Sequence, residues 1–138
     1  VGDLSITTIA LLGCVLIEQL SGKVVLSSAA RAPVLVAIAL AGVVLYPAAL
    51  GAFPLDVYRH GYQPLVLLAV LRVLAAAAWT LRQPAAAILV LVAVIAFDLR
   101  LIESNNLWDY VLDGWITLYA WGWVVLWSLR RRPARTRR

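Results

Sequence analysis

Hydrophobic residues run through this chain in blocks, separated by short clusters of glycine, proline, serine and charge. The blocks are about 20 residues long, the length an α-helix needs to cross the hydrocarbon core of a bilayer, about 30 Å thick. They predict helices over residues 4–20, 33–53, 62–81, 84–102 and 106–129. Ser21 to Arg31, with Gly22 and Lys23, reads as a helix end and a loop. Pro33 suits a helix start, and Pro47 marks a kink within the second helix. Pro54 to Gln63 holds Asp56, Arg59, His60 and Gly61 and is too polar for lipid, so it reads as a loop or a short interfacial helix. Arg82-Gln83-Pro84 reads as a tight turn, because a residue before proline disfavours helical geometry and Pro84 suits the first position of the next helix. The fourth block is continuously apolar only from Pro84 to Phe97, and it reaches bilayer length by taking in Asp98 and Arg100. No basic residue precedes the first block and no small-residue cleavage motif follows it, so it does not read as a signal peptide.

The expected fold is therefore an all-α integral membrane protein: one domain, residues 1–129, built as a bundle of about five transmembrane helices. Four is the alternative if the fourth block does not cross. Composition agrees. The 138 residues are 64% hydrophobic and 14% charged, with mean hydropathy +0.92, whereas soluble domains are about 45–50% apolar and about 25% charged. One cysteine, Cys14, excludes an internal disulfide, and one histidine, His60, excludes bis-histidine haem ligation and the usual two-histidine zinc site within one chain. No cofactor and no metal are expected.

The net charge of +5 has an uneven distribution, since six of the twelve basic residues lie in Arg130–Arg138. That segment reads as a cytoplasmic tail that anchors topology and binds anionic lipid, not as a nucleic-acid surface. With the tail inside, Lys23, Arg31 and Arg82 fall on the same side, which places nine of the twelve basic residues there. Only Arg59 and Arg100 fall outside, together with Asp3, Asp56, Asp98, Glu103 and Asp109. The N-terminus is thus expected outside and the C-terminus in the cytoplasm. Trp79 and Trp127 then lie near the inner interface, and Trp108, Tyr58, Tyr62 and Tyr110 near the outer one. Eleven arginines to one lysine, with abundant alanine, point to a GC-rich bacterial genome and hence to the bacterial inner membrane.

Four charges fall within the predicted spans: Glu18, Arg72, Asp98 and Asp113. A central arginine costs about 2.5–3.5 kcal/mol on insertion scales and needs an acceptor. Asp98 lies about 7 Å further along the predicted α-hairpin, within reach of an extended side chain, so an Arg72–Asp98 pair is expected. Thr7, Leu11, Cys14 and Glu18 share one helix face turned toward the bundle. An acidic residue in a first helix resembles the small multidrug transporters, in which such a carboxylate exchanges protons for cationic drugs. The span count, the third and fourth helices and the arginine tail depart from that family. The bland alternative has Glu18 reaching the inner interface beside Lys23 or Arg82. In the last span Trp115, Tyr119, Trp123 and Trp127 recur every four residues, and Asp109, Asp113 and Thr117 do so on another face. Asn105 or Asn106 is the expected N-cap, Asp109 a first-turn acid, and Asp113 a buried acid with Arg59, Arg72 and Arg100 as candidate partners.

Two outer segments hold nearly all remaining polar side chains: Asp56, Tyr58, Arg59, His60 and Tyr62 in one, Asp98, Arg100, Glu103, Asn105, Asn106, Trp108 and Asp109 in the other. If they meet, they form a polar and aromatic cap able to bind a sugar, a headgroup or a protein. Asp56, His60 and Glu103 are the candidate catalytic groups, with Asp56 and His60 spaced as an acid–base pair. Small residues in the second and third blocks allow close helix approach, within the chain or in a homo-oligomer. The functional expectation is an accessory or scaffold subunit, or a binder of ligand or lipid through the cap. A small oligomeric transporter is the alternative, and a membrane enzyme acting on a lipid-linked substrate comes third.

Overall fold

The computed structural model describes residues 4–52, 54 and 56–130, and among these the chain is entirely helical. The six helices are α1 (Ile6–Ser21), α2 (Ser28–Ala49), α3 (Leu65–Thr80), α4 (Pro84–Asp98), α5 (Leu107–Val111) and α6 (Gly114–Arg130), with a 3-10 turn at Tyr58–Gly61 between α2 and α3. The predicted end of the second span at Phe53, Asp3, and the basic tail beyond Arg130 lie outside the described residues. One described helix, Ser28–Ala49, is long and apolar enough to cross a membrane. Ile6–Ser21, Leu65–Thr80 and Pro84–Asp98 are apolar but shorter.

The long helices alternate in direction. The 3-10 turn packs on α2, α3 and α5, and α5 packs on α4 and α1, so these elements form one end of the bundle, the cap end. The α1–α2 loop and the α3–α4 turn form the opposite, basal end. α3 and α4 are the most closely packed pair, α2 pairs with α6, and α1 lies on α4 and α5. One core, around Leu35, Ile38, Leu45, Ile116 and Ala120, joins α2 to α6. The other, around Leu67, Leu71, Val94, Leu107 and Tyr110, joins the α3–α4 hairpin to α5.

Local chemistry sets the helix ends, and in several places it moves them from where hydropathy put them. α2 begins at Ser28, a turn before Pro33, because Ser27 caps it: the Ser27 hydroxyl accepts from the Ala30 N–H at 3.3 Å. α3 and α4 each end in a left-handed residue, Arg82 (φ 58°) and Arg100 (φ 52°). In both, the following N–H reaches back to the sixth residue, Gln83 to Ala78 O and Leu101 to Ala96 O, and satisfies a terminal carbonyl. The turn predicted at Arg82-Gln83-Pro84 is therefore observed, with Pro84 at the start of α4. The fourth helix stops at Asp98, not at Ile102.

The last predicted span is divided. α5 ends at Val111, Leu112 is extended (φ −144°, ψ 136°), and α6 starts at Gly114. Asp113 causes the break: its Oδ1 accepts from the N–H groups of Trp115 (2.8 Å) and Ile116 (3.0 Å), so it caps a new helix and does not continue the old one. Asp109 and Asp113 consequently do not share a helix face. α6 packs closely on α2 at Gly42, where an added Cβ would stand 2.3 Å from Thr117 Cγ2. The Trp121 indole N–H reinforces this contact by donating to Ala39 O at 2.9 Å.

Candidate functional site

Asp113 is buried, and none of Arg59, Arg72 or Arg100 is its partner. Its Oδ2 accepts from the Ser5 N–H at 2.9 Å and from the Thr8 hydroxyl, while Ser5 caps α1 by accepting from the Thr8 N–H. The N-termini of α1 and α6 thus converge on one carboxylate, whose charge is stabilised by orphan N–H donors and by two helix dipoles in place of a cation.

Glu18 has a more local role. Oε1 accepts from the N–H groups of Val25 (3.0 Å) and Leu26 (2.8 Å), and Oε2 pairs with Arg31 at 3.2 Å. The α1–α2 loop is wound around this carboxylate. Lys23 and Arg82 are not its partners, and both carboxylate oxygens are engaged, one by the loop and one by Arg31 of α2. Thr7, Leu11, Cys14 and Glu18 do form the less exposed face of α1.

The expected Arg72–Asp98 pair does not form. Both residues are exposed, and Arg31–Glu18 is the one ion pair among the described residues. The hairpin is held by apolar packing, so it needs no clamp.

The two outer segments do meet. The Tyr58 hydroxyl donates to Asp109 Oδ1 at 2.9 Å, Asn106 Nδ2 donates to Tyr58 O at 3.2 Å, and the Trp108 indole donates to Val57 O at 3.0 Å. Asn106, fully buried, is the α5 N-cap and accepts from the Trp108 N–H at 2.9 Å. Gly61 makes this possible, since a Cβ there would overlap Asn106 Oδ1 at 1.6 Å. Burial pushes the Tyr58 phenol well above its usual range, and the hydrogen bond to Asp109 and its charge add to the shift, so Tyr58 stays a donor. Asp56, Arg59, His60, Arg100, Glu103 and Asn105 are exposed at the rim. Asp56 and His60 do not meet as acid and base: Asp56 Oδ1 accepts from the Arg59 N–H at 3.0 Å, and His60 Nδ1 faces the Asp56 backbone carbonyl at 3.1 Å. Among the described residues no three His, Cys, Asp or Glu side chains gather as a metal site.

Beneath the cap is a cavity of about 420 Å³ between the end of α2, the 3-10 turn and the α5–α6 break. Its polar lining is Tyr46, Tyr58, Ser104, Asp109 and Asp113, with Leu45, Ala49, Ile102 and Leu112 as apolar walls. Asp109 Oδ2 also accepts from the Ser104 hydroxyl. The two carboxylates are met by neutral donors, and among the described residues no basic side chain lines the space. The lining is thus both acidic and aromatic. Tyr46, Ser104, Ser5 and Thr8 did not stand out in the sequence as site residues; the spacing of Ser5 and Thr8 ahead of an apolar run is a capping signal that marks the first two partners of Asp113. Neither family models, nor curated proteins, nor solved structures give a match to this chain.

Proposed function

We propose that this is a multi-pass protein of the bacterial inner membrane, cap end outward, and that the cavity under the cap binds a small organic cation. Support for the membrane setting comes from the outward faces of the shorter helices: Leu20, Leu65, Val73 and Leu81 are 79%, 80%, 68% and 73% exposed, a pattern that water penalises and lipid does not. Helices of 15 to 17 residues span about 22–26 Å, which local thinning of the bilayer accommodates. Lys23, Arg31, Arg82 and Arg130 lie at the basal end against Glu18, and Asp56, Asp98, Glu103, Asp109 and Asp113 lie at the cap end against Arg59 and Arg100. That polarity supports a cytoplasmic base. The observation that carries the ligand reading is the cavity lined by Tyr46, Tyr58, Asp109 and Asp113, with no cationic side chain among the described residues.

The orientation is tested by replacing Cys14 with alanine and placing single cysteines at Arg82 and Glu103. A membrane-impermeant maleimide added to intact cells should label Glu103→Cys at once and Arg82→Cys only after permeabilisation; the reverse pattern overturns the orientation. For the ligand, calorimetric titration of the protein in nanodiscs with tetramethylammonium and with choline should give binding that a neutral polyol of similar size does not. Asp109→Asn should weaken it by about tenfold, the loss of roughly 1.4 kcal/mol of charge attraction. Equal binding of cationic and neutral probes rejects the reading. An accessory-subunit role is compatible with the same cavity, and gentle extraction that recovers a stoichiometric partner is the measurement that adds it.

A further inference from the structure

The Asp113 clamp joins α1 to α6 only at the cap end. Below it α1 leans on α4 and α5 while α6 leans on α2, and the two helices leave an open-sided groove of about 370 Å³ between them. Leu11, Leu12 and Val15 of α1, Leu35 of α2, and Trp115 and Tyr119 of α6 line it, almost wholly with apolar atoms. The lining runs from Leu4, just ahead of α1 at the cap end, down α1 to Val15, and Leu26 and Arg31 carry it on to the basal end, so the groove follows the bundle from one end toward the other.

The groove has one charged wall. Arg31, in the first turns of α2 at the basal end, lines it together with Leu26. A single guanidinium nitrogen, Nη2, is bound to Glu18; among the described residues Nε and Nη1 have no partner. Glu18 Oε1 accepts from the loop N–H groups of Val25 and Leu26, and Lys23 belongs to the same loop. An open-sided slot with aliphatic and aromatic walls, ending at the basal end in a guanidinium that has donors beyond its bond to Glu18, has the shape and charge of a site for an acidic lipid.

We propose that this groove holds an acyl chain of an anionic phospholipid of the cytoplasmic leaflet, with the phosphate on Arg31. The inference rests on the membrane reading above and is independent of the cation cavity. An Arg–phosphate contact has the planar, charge-assisted geometry that makes arginine the stronger phosphate partner.

Cys14, the single cysteine, lines the groove and reports its occupancy. The protein is placed in nanodiscs of pure phosphatidylcholine or of phosphatidylcholine with phosphatidylglycerol, and alkylation of Cys14 by N-ethylmaleimide is timed. Phosphatidylglycerol should slow alkylation by about fivefold, the factor expected from one cation near an anionic surface. Arg31→Gln should abolish that difference, and Arg59→Gln, at the cap end, should keep it. Because Arg31→Gln also breaks the pair with Glu18, a second variant leaves Arg31 in place: Val15→Trp fills the groove. Native mass spectrometry should find one phosphatidylglycerol retained by the parent chain and none by Val15→Trp. Equal alkylation in both lipids, or equal lipid retention by Val15→Trp and parent, overturns the site while leaving the membrane reading intact. Failure to insert into either nanodisc overturns both.

Discussion

Removing the carboxylate of Asp113 tests the tie between the first and last helices most directly. Four donors depend on it: the N–H groups of Trp115, Ile116 and Ser5 and the hydroxyl of Thr8. In Asp113→Ala all four lose that partner, three of them in a buried setting. Loss of an N-cap costs about 1 kcal/mol, and each stranded buried donor about 1–3 kcal/mol before relaxation, so with partial rescue by water the total should be about 4 kcal/mol. Asp113→Asn separates the two halves of the role. Asparagine caps a helix as well as aspartate does, so Oδ1 can keep Trp115 and Ile116, but an amide NH2 in place of Oδ2 confronts the Ser5 N–H with another donor. That variant should lose about 2 kcal/mol, nearly all at the α1 side. Reversible unfolding in mixed micelles gives both values, and a cycle with Thr8→Val should show coupling of about 1 kcal/mol. If Asp113→Asn matches the parent to within 0.5 kcal/mol, or the cycle shows no coupling, the carboxylate does not join the two helices.

Three further expectations follow from the geometry. Gly61→Ala should cost about 3 kcal/mol, read by chemical denaturation, because its Cβ displaces Asn106 and uncaps α5; a neutral result refutes the close approach. Gly42→Ala should cost about 1–3 kcal/mol through overlap with Thr117 Cγ2, and Thr117→Ser, which deletes that methyl, should restore most of it in the double variant. The phenol of Tyr58 is raised in the folded state, so its contribution is fully present below the unfolded value of about 10 and is lost as pH rises through the folded value. The stability difference between parent and Tyr58→Phe should therefore be constant to about pH 10 and shrink above it, and a difference that grows with pH contradicts the assignment.

The helical architecture was legible because it rests on blocks of apolar residues and on Pro84, whose effects are local. The α5 N-cap at Asn106 was legible for the same reason, one of two adjacent asparagines before an apolar turn. What escaped was the competition between a side chain and the backbone. The four-residue spacing of Asp109, Asp113 and Thr117 looks like a helix face, yet Asp113 terminates that face by capping the next helix. Charge pairing misled in a related way. Asp113 and Glu18 satisfy their oxygens chiefly with backbone N–H groups and hydroxyls, which hydropathy and charge counts do not register, and Arg72 and Asp98 point away from the core. The cavity depends on Tyr46 at the end of α2 lying beside Ser104, Asp109 and Asp113, residues far away in sequence, and that is information held in the packing of the helices.

The bond from Ser5 to Asp113 spans 108 positions of sequence, so it has a date as well as a place. At about 5–20 residues per second of synthesis, α1 exists for roughly 5–20 s before its acceptor does. Throughout that interval the Ser5 N–H must be served by water or by another protein, while the Thr8 hydroxyl has Ser5 Oγ at 3.1 Å within its own helix start. A chain released before α6 never closes the contact and keeps the start of α1 open, so this one carboxylate distinguishes a chain that has reached α6 from a shorter one.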